Sequence, residues 1–282
     1  MLFRSIFDGT EFSQKLPVES VIEAGNSTPI KAMPGKAYRI FTGAPMPEGA
    51  DTVIIQENAL LHDEGVSFND SSLIKGINVR LKASQIAKGE VAANNGTVLN
   101  ARSIGYLASL GVTEVEVYAL PSVGIIVTGK ELAEPGAELS FGQVYESNSL
   151  MLKAALAEGN IKPEAITKVG DDLDEIIKAV KVLLDVCDIL LITGGISVGS
   201  FDFVKDALGQ NNVKELFYKV KQKPGKPLYV GKKGKKLVFA LPGNPASVLT
   251  CFYEYVVPAI RKICGKNAVA DNVTFLKLDR AY

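Results

Sequence analysis

Residues 189–208, ILLITGGISVGSFDFVKDAL, decide the fold. The run from Ile189 to Thr193 is apolar or β-branched at every position, so it reads as a strand covered on both faces, the condition of a parallel sheet between two helix layers. It enters a loop carrying Gly194, Gly195, Ser197 and Gly199, and Asp202 stands where the next amphipathic helix starts. Outward from this stretch the alternation repeats. Upstream lie the strand SVGIIVTG (122–129), helix SLMLKAALAEG (149–159), strand EAITKVG (164–170) and helix LDEIIKAVKVLLDV (173–186). Downstream come the helix DFVKDALG (202–209), strand ELFYKVKQ (215–222), hairpin PLYVGKKGKKLVFAL (227–241) and helix ASVLTCFYEYVVPAIRKICG (246–265). Such alternation predicts an α/β domain over 121–265.

Before Pro121 the texture differs. Short β-rich runs punctuated by Gly and Pro, namely SVIEAG (20–25), AYRIFTGAP (37–45), DTVIIQENA (51–59), GVSFND (65–70) and INVRLKA (77–83), predict an all-β module over 1–90. Residues 91–120 combine the strand-like VAANNGTVL, a helix from Ala101 to Leu110 stopped by Gly111, and the alternating VTEVEVYAL, and read as a connecting subdomain. Residues 266–282 begin one more strand, VTFLKLDR, and are too few for a domain.

Composition narrows the chemistry. The 282 residues carry 31 Lys plus Arg against 31 Asp plus Glu, and this balance argues against a general nucleic-acid binder. The length favours two or more domains. The longest apolar stretch, VLLDVCDILLITGG (182–195), is broken by Asp185 and Asp188, and the apolar start is too short for a signal peptide, so neither a membrane span nor secretion is expected. Cys187, Cys251 and Cys264 are an odd count, read as reduced core residues of a cytoplasmic protein. The single histidine, His62 in LLHDEG, is expected in a surface turn and speaks against Ser-His-Asp chemistry and multi-histidine metal sites. Chemistry must then rest on carboxylates, lysines, backbone amides at helix starts and a hard metal ion.

In an open parallel sheet ligands bind beyond the carboxyl ends of the strands, so four loops are candidates. The first places Thr128, Gly129 and Glu131 after a strand, which is equally a glycine turn with a solvated acid. The second is the Gly194–Gly199 loop, whose glycines let backbone amides approach an anion. It matches neither a Walker loop nor a dinucleotide fingerprint. Asp202 either caps its helix or holds Mg²⁺ beside a phosphate, and the same two readings apply to Asp171 and Asp172. The third loop crowds Lys219, Lys221, Lys223 and Lys226 around Pro224 and Gly225, either as a solvated edge or as placed ammonium groups. The fourth, Pro242, Gly243, Asn244 and Pro245, leads to a helix starting at Ala246 or Ser247 whose free amides would seat an oxyanion.

Taken in order, RIFTGAPMPEGADTVIIQEN (39–58), GINVR (76–80), IGYLASLGVTEVEVY (104–118), IIVTGKEL (125–132), GQVYESNS (142–149), GDD (170–172), ITGGISVGSFDFVK (192–205), KQKPGKPL (221–228) and LPGNPASVL (241–249) resemble the molybdopterin molybdenumtransferases, the insertase family that includes MoeA and the E domain of gephyrin. The resemblance covers residues 20–265. It implies a β-rich domain (1–90), part of an elongated domain (91–120), a MogA-like three-layer α/β molybdopterin-binding domain (121–265) and a stub of a C-terminal barrel (266–282). It further implies a cytoplasmic homodimer that hydrolyses adenylylated molybdopterin with Mg²⁺ and inserts molybdate into the dithiolene, releasing AMP, with the upstream molybdopterin adenylyltransferase as a partner and no nucleic acid or membrane.

By the same likeness Glu131, Asp171, Asp202, Lys219 and Lys223 fall on catalytic positions, and Asp171 and Asp202 on metal positions. Thr42, Gly194, Gly195, Ser197, Gly199, Lys226, Pro227, Pro242, Pro245 and Ser247 fall on substrate positions, with Thr42 brought towards a partner's crevice. The sequence departs from the family pattern in five places. Residues 1–12 lack the Asn-Ser-Ala-Met-Asp-Gly-Tyr segment. Gln85 stands where an aspartate is expected, Lys130 replaces an acid in TGKEL, and the helices opening the elongated domain and the barrel are not found. These departures motivate an alternative, a catalytically impaired molybdopterin-binding or scaffold protein of the same family.

Overall fold

The computed structural model describes residues 2–5, 15–68, 74–196 and 203–266. Contacts divide the chain into two units, Met1–Ala92 and Ala93–Tyr282.

In the first unit, strands β1 (Leu2–Ser5), β2 (Val18–Ile22), β3 (Ala37–Ile40) and β4 (Thr52–Ile55) form a sheet in the order β2-β3-β1-β4. β1, which the sequence reading did not mark as a strand, pairs antiparallel with both β3 and β4. β5 (Ala59–His62) and β6 (Gly65–Phe68) make a separate hairpin. His62 lies at the end of β5 beside the turn, exposed, with a ring nitrogen 2.7 Å from Ser67 Oγ. Two small cores, around Ile54, Val66 and Phe68 and around Ile22, Tyr38 and Ile40, hold the unit together. The expected strand at 77–83 does not form. Asn78 and Ala83 sit at φ of 57° and 63°, in the left-handed region that breaks an extended run, and Asn78 Nδ2 instead donates to the Val53 carbonyl at 2.9 Å.

The second unit opens with α1 (Ala101–Ser109), started by a capping box in which the Asn100 side chain accepts from the Ser103 amide and Ser103 Oγ accepts from the Asn100 amide. The flanking 91–99 and 112–120 segments carry no strand. VTEVEVYAL has the alternation but no ladder partner among the described residues, and alternation by itself supplies none of the backbone bonds a strand needs.

From Pro121 the elements are β7 (Val123–Thr128), β8 (Leu132–Ala133), β9 (Val144–Tyr145), α2 (Asn148–Glu158), β10 (Ala165–Val169), α3 (Leu173–Val186), β11 (Ile189–Thr193), α4 (Phe203–Gln210), β12 (Lys214–Tyr218), β13 (Tyr229–Lys233), β14 (Lys236–Leu241), α5 (Pro245–Cys251) and α6 (Val257–Ile263). The main sheet has the order β10-β7-β11-β14-β13-β12, its first four strands parallel and the last two antiparallel. β12 ends at Tyr218, short of the expected Gln222, because Lys219 takes φ 66°. A π-turn, Phe252–Val256, joins α5 to α6. Pro258 cannot donate to the Glu254 carbonyl, and the preceding turn widens so that the Val257 amide reaches Phe252 O.

Strand alternation divides the core in two. Val123, Ile125, Val127, Ile189, Leu191, Phe239 and Leu241 meet α2, α5 and the π-turn on one face, through Leu152, Leu156, Val248 and Phe252. Ile126, Leu190, Ile192, Val238 and Ala240 meet α3 and α4 on the other, through Ile176, Val180, Leu183 and Val204. Each such buried aliphatic side chain contributes about 1.5–3 kcal/mol relative to exposure, so the sandwich is the stable frame on which the loops ride. No helix among the described residues is long and apolar enough to cross a membrane.

Two close approaches lock β7 into this frame. Gly124 faces α3, and a Cβ there would lie 2.9 Å from Cys187 Sγ and 3.3 Å from a Leu183 methyl. Asp188 Oδ2 accepts from the Ser122 amide (2.9 Å) and hydroxyl (2.8 Å), tying the start of β7 to that of β11. These bonds to Ser122, backbone first, hold the Asp188 carboxyl below its usual value. We expect Gly124→Ala to cost about 1–3 kcal/mol in denaturant unfolding, partly recovered by adding Cys187→Ala. A depressed carboxyl stabilises above its unfolded pKa and loses that contribution as pH falls through the folded value. Asp188→Asn should therefore destabilise at neutral pH, by less than about 1 kcal/mol because the group is exposed, and the gap to wild type should close on acidification.

Candidate functional site

A cavity of about 470 Å³ opens at the carboxyl ends of the parallel strands. Its walls are Thr128 to Leu132 after β7, Asp171 after β10, Gly194 to Ile196 after β11, Pro242 and Gly243 after β14, Asn148 at the start of α2, and Pro227. The position follows from topology. Parallel strands end side by side with their following loops on the same edge, and the helices that return the chain leave that edge open.

Two glycines fit the β11 loop against the β7 loop. A Cβ on Gly194 (φ 85°) would lie 2.6 Å from the Thr128 carbonyl oxygen and 2.8 Å from its hydroxyl, and one on Gly195 (φ 61°) would lie 2.8 Å from a Val204 methyl. Buried Thr128 donates from Oγ1 to the Thr193 carbonyl at 3.2 Å, fastening the two loops from beneath. Tyr218 donates to the Ile196 carbonyl at 3.1 Å, an anchor from β12 that no motif signalled. The acid pair at 171–172 divides its roles. Asp172 caps α3, accepting from the Glu175 amide at 3.0 Å, while Asp171 faces the cavity and accepts from the Lys130 amide at 3.3 Å.

Of the residues singled out from sequence, the cavity brings together Glu131, Asp171, Gly194, Gly195, Pro227 and Pro242. Lys219, Lys223 and Lys226 are exposed along the loop that reaches the cavity at Pro227 and are not among its wall residues. Lys219 Nζ lies 4.8 Å from the Tyr218 ring centroid. That loop is held from behind by Gln222, whose amide nitrogen Nε2 donates to the Pro224 carbonyl (3.0 Å) and whose Oε1 accepts from Tyr255 OH (2.7 Å). Pro245 and Ser247 also lie outside the wall. The helix there begins at Pro245, ahead of the expected Ala246 or Ser247, and Asn244 Oδ1 accepts from the Ser247 amide at 3.3 Å, so this amide is not free to seat an oxyanion. Thr42 belongs to the first unit, exposed after β3. Ser197, Gly199 and Asp202 lie outside the described residues.

Sequence reading missed Asn148. It looks like an ordinary helix start, and what carries it back to the cavity is the excursion from Glu131 to Ser147, closed by the parallel pairing of β8 with β9. Its Nδ2 donates to the Gly243 carbonyl at 2.9 Å, and buried Glu146 secures the turn by accepting from the Ser149 amide and hydroxyl.

Fold and site define a three-layer α/β domain with an acid-bearing cavity at its strand ends. Residues 124–262 match the family described as a probable molybdopterin binding domain, and residues 5–111 match the MoeA N-terminal region (domain I and II). The chain is 35% identical over 260 residues to molybdopterin molybdenumtransferase 2 of Mycobacterium tuberculosis (89% of this chain, 63% of that protein). It is 38% identical over 234 residues to the molybdopterin molybdenumtransferase of Haemophilus influenzae (82% and 57%). A crystal structure of the molybdopterin biosynthesis MoeA protein from Pyrococcus horikoshii superposes with a TM-score of 0.76 at 29% identity (95% of this chain, 69% of that one). The chain belongs to the MoeA family. It spans about 55–63% of the length of the curated relatives it matches.

The glycine geometry makes the site testable. Gly194→Ala forces both a left-handed alanine and a clash with the Thr128 carbonyl, and should lower unfolding stability by at least about 1–3 kcal/mol, measured by thermal denaturation. Cys251, whose thiol burial pushes up to about 11, should resist alkylation at pH 8 in native protein and react on unfolding, as read by mass spectrometry.

Proposed function

We propose that the chain works as a molybdenum insertase, hydrolysing adenylylated molybdopterin and delivering molybdate to the dithiolene. The observation that carries this reading is the convergence of Glu131, Asp171 and the Gly194–Gly195 turn on one cavity in a domain of the molybdopterin-binding family. The substrate carries an anhydride between two phosphates, and molybdate is itself an oxyanion. The Gly194 amide is taken by the Leu241 carbonyl at 3.2 Å, so the turn would meet the anions through the main chain beyond it, with lysines nearby.

Mg²⁺ fits the donor set. The described residues contain no cluster of three or more ligating side chains, but Mg²⁺ asks only for one or two carboxylates when phosphates complete its shell. Asp171 would hold it, with Glu131 on the same cavity and Asp202 as the second carboxylate. When bound, the ion neutralises the anhydride charge. The protein's own contribution is to orient the phosphates over the Gly194–Gly195 turn. Lys219, Lys223 and Lys226 would then draw molybdate towards the cavity rim at Pro227. The cytoplasmic homodimer, the participation of Thr42 across it, and transfer from an upstream molybdopterin adenylyltransferase belong to this same reading.

A second reading, a molybdopterin-binding protein without turnover, is favoured by one observation: Lys130, where an acid is expected, is a wall residue beside Glu131 and Asp171. AMP release from adenylylated molybdopterin with Mg²⁺ and molybdate separates the two. The insertase reading expects release, lowered at least about tenfold by Asp171→Asn and by Lys223→Ala. Pterin binding without AMP release favours the second, and absence of both refutes either.

A further inference from the structure

Three buried side-chain polar atoms have no hydrogen-bond partner among the described residues: Ser20 Oγ, Asn148 Oδ1 and Thr193 Oγ1. Two of the three belong to the end of the sheet where the cavity opens. Asn148 is more than nine-tenths buried and is itself a wall residue. Its orientation is fixed chemically, because the Gly243 carbonyl can only accept and so must meet the amide nitrogen, which turns the oxygen away as an unanswered acceptor. Thr193 ends β11 with the alternation of Ile189 and Leu191, hence on the α2 side that carries Asn148. A buried acceptor without a donor is costly in the empty protein, and a ligand that supplies the donor recovers that cost on binding.

We propose that Asn148 is a ligand-reading residue whose Oδ1 accepts from an N–H on the edge of a planar nitrogen heterocycle. Molybdate and the internal anhydride phosphates of the proposed substrate carry no donor at neutral pH, so its oxyanion part cannot satisfy this atom. In the proposed substrate the donor comes either from the pterin ring or from adenine. The inference rests on the molybdopterin reading for its ligand, and it adds a division of labour, in which the glycine turn takes the anion and Asn148 takes the ring.

The test titrates wild type and Asn148→Leu, a near-isostere without the acceptor, with molybdopterin, AMP and inorganic pyrophosphate. The loss expected is about tenfold in affinity for one heterocycle, with pyrophosphate unchanged and the ligand-free melting temperature lowered by no more than the lost Nδ2 bond to the Gly243 carbonyl accounts for. A loss for molybdopterin assigns the pterin edge, and a loss for AMP assigns adenine. Equal affinities in both proteins, or a parallel loss that includes pyrophosphate, overturn the proposal while leaving the functional reading intact. Failure of wild type to bind molybdopterin or AMP sinks both. Should Asn148→Leu fail to fold, wild type decides: it must bind a pterin phosphate methylated on its 2-amino group and ring nitrogen, or N6,N6-dimethyl-AMP, about tenfold more weakly than the unmethylated counterpart, and indifference to both methylations overturns the proposal.

Discussion

A strand with no polar face has to be covered on both sides, and this constraint on β11 organises the second unit. Its ladder groups are taken by β7 and β14, its odd positions by α2 and α5, and its even positions by α3 and α4. Past the buried run Ile189–Thr193 the chain regains contact with water where β11 ends. The groups that must stay polar are thus gathered at one edge, and the cavity forms there because there is nowhere else in this layer for it to form.

The site is held by backbone as much as by side chains. Thr128 stitches one loop to the next, the glycines at 194 and 195 allow main chain to pass where a methyl would collide, and Asp171 is oriented by the Lys130 amide. The placement of the lysines is different in kind. They are exposed on a loop whose own anchor is the Gln222 to Tyr255 hydrogen bond.

Much of this was legible in the residues. The helix over 173–186, the β13–β14 hairpin around Gly234 and the α1 helix after Asn100 follow from periodicity, turn chemistry and capping, all of which are local. The glycine loop and the acids Glu131 and Asp171 were candidates for the same reason. The failures are equally instructive. Alternation at 112–120 was read as a strand, yet a strand exists only with a partner, and INVRLKA was undone by two left-handed residues that no pattern of polarity reveals.

The sequence by itself determined the order of strands and helices, the doubly covered sheet and the chemical types available at its loops, since burial pattern and backbone preference are properties of short segments. Tertiary structure alone decided which of those residues meet: that Asp171 faces the cavity while Asp172 caps a helix, that Asn244 consumes the amide meant for an anion, and that Asn148 returns to the wall with an acceptor unanswered. Such choices depend on where loops remote in sequence come to rest against one another, and that distance is set by packing rather than by spacing along the chain.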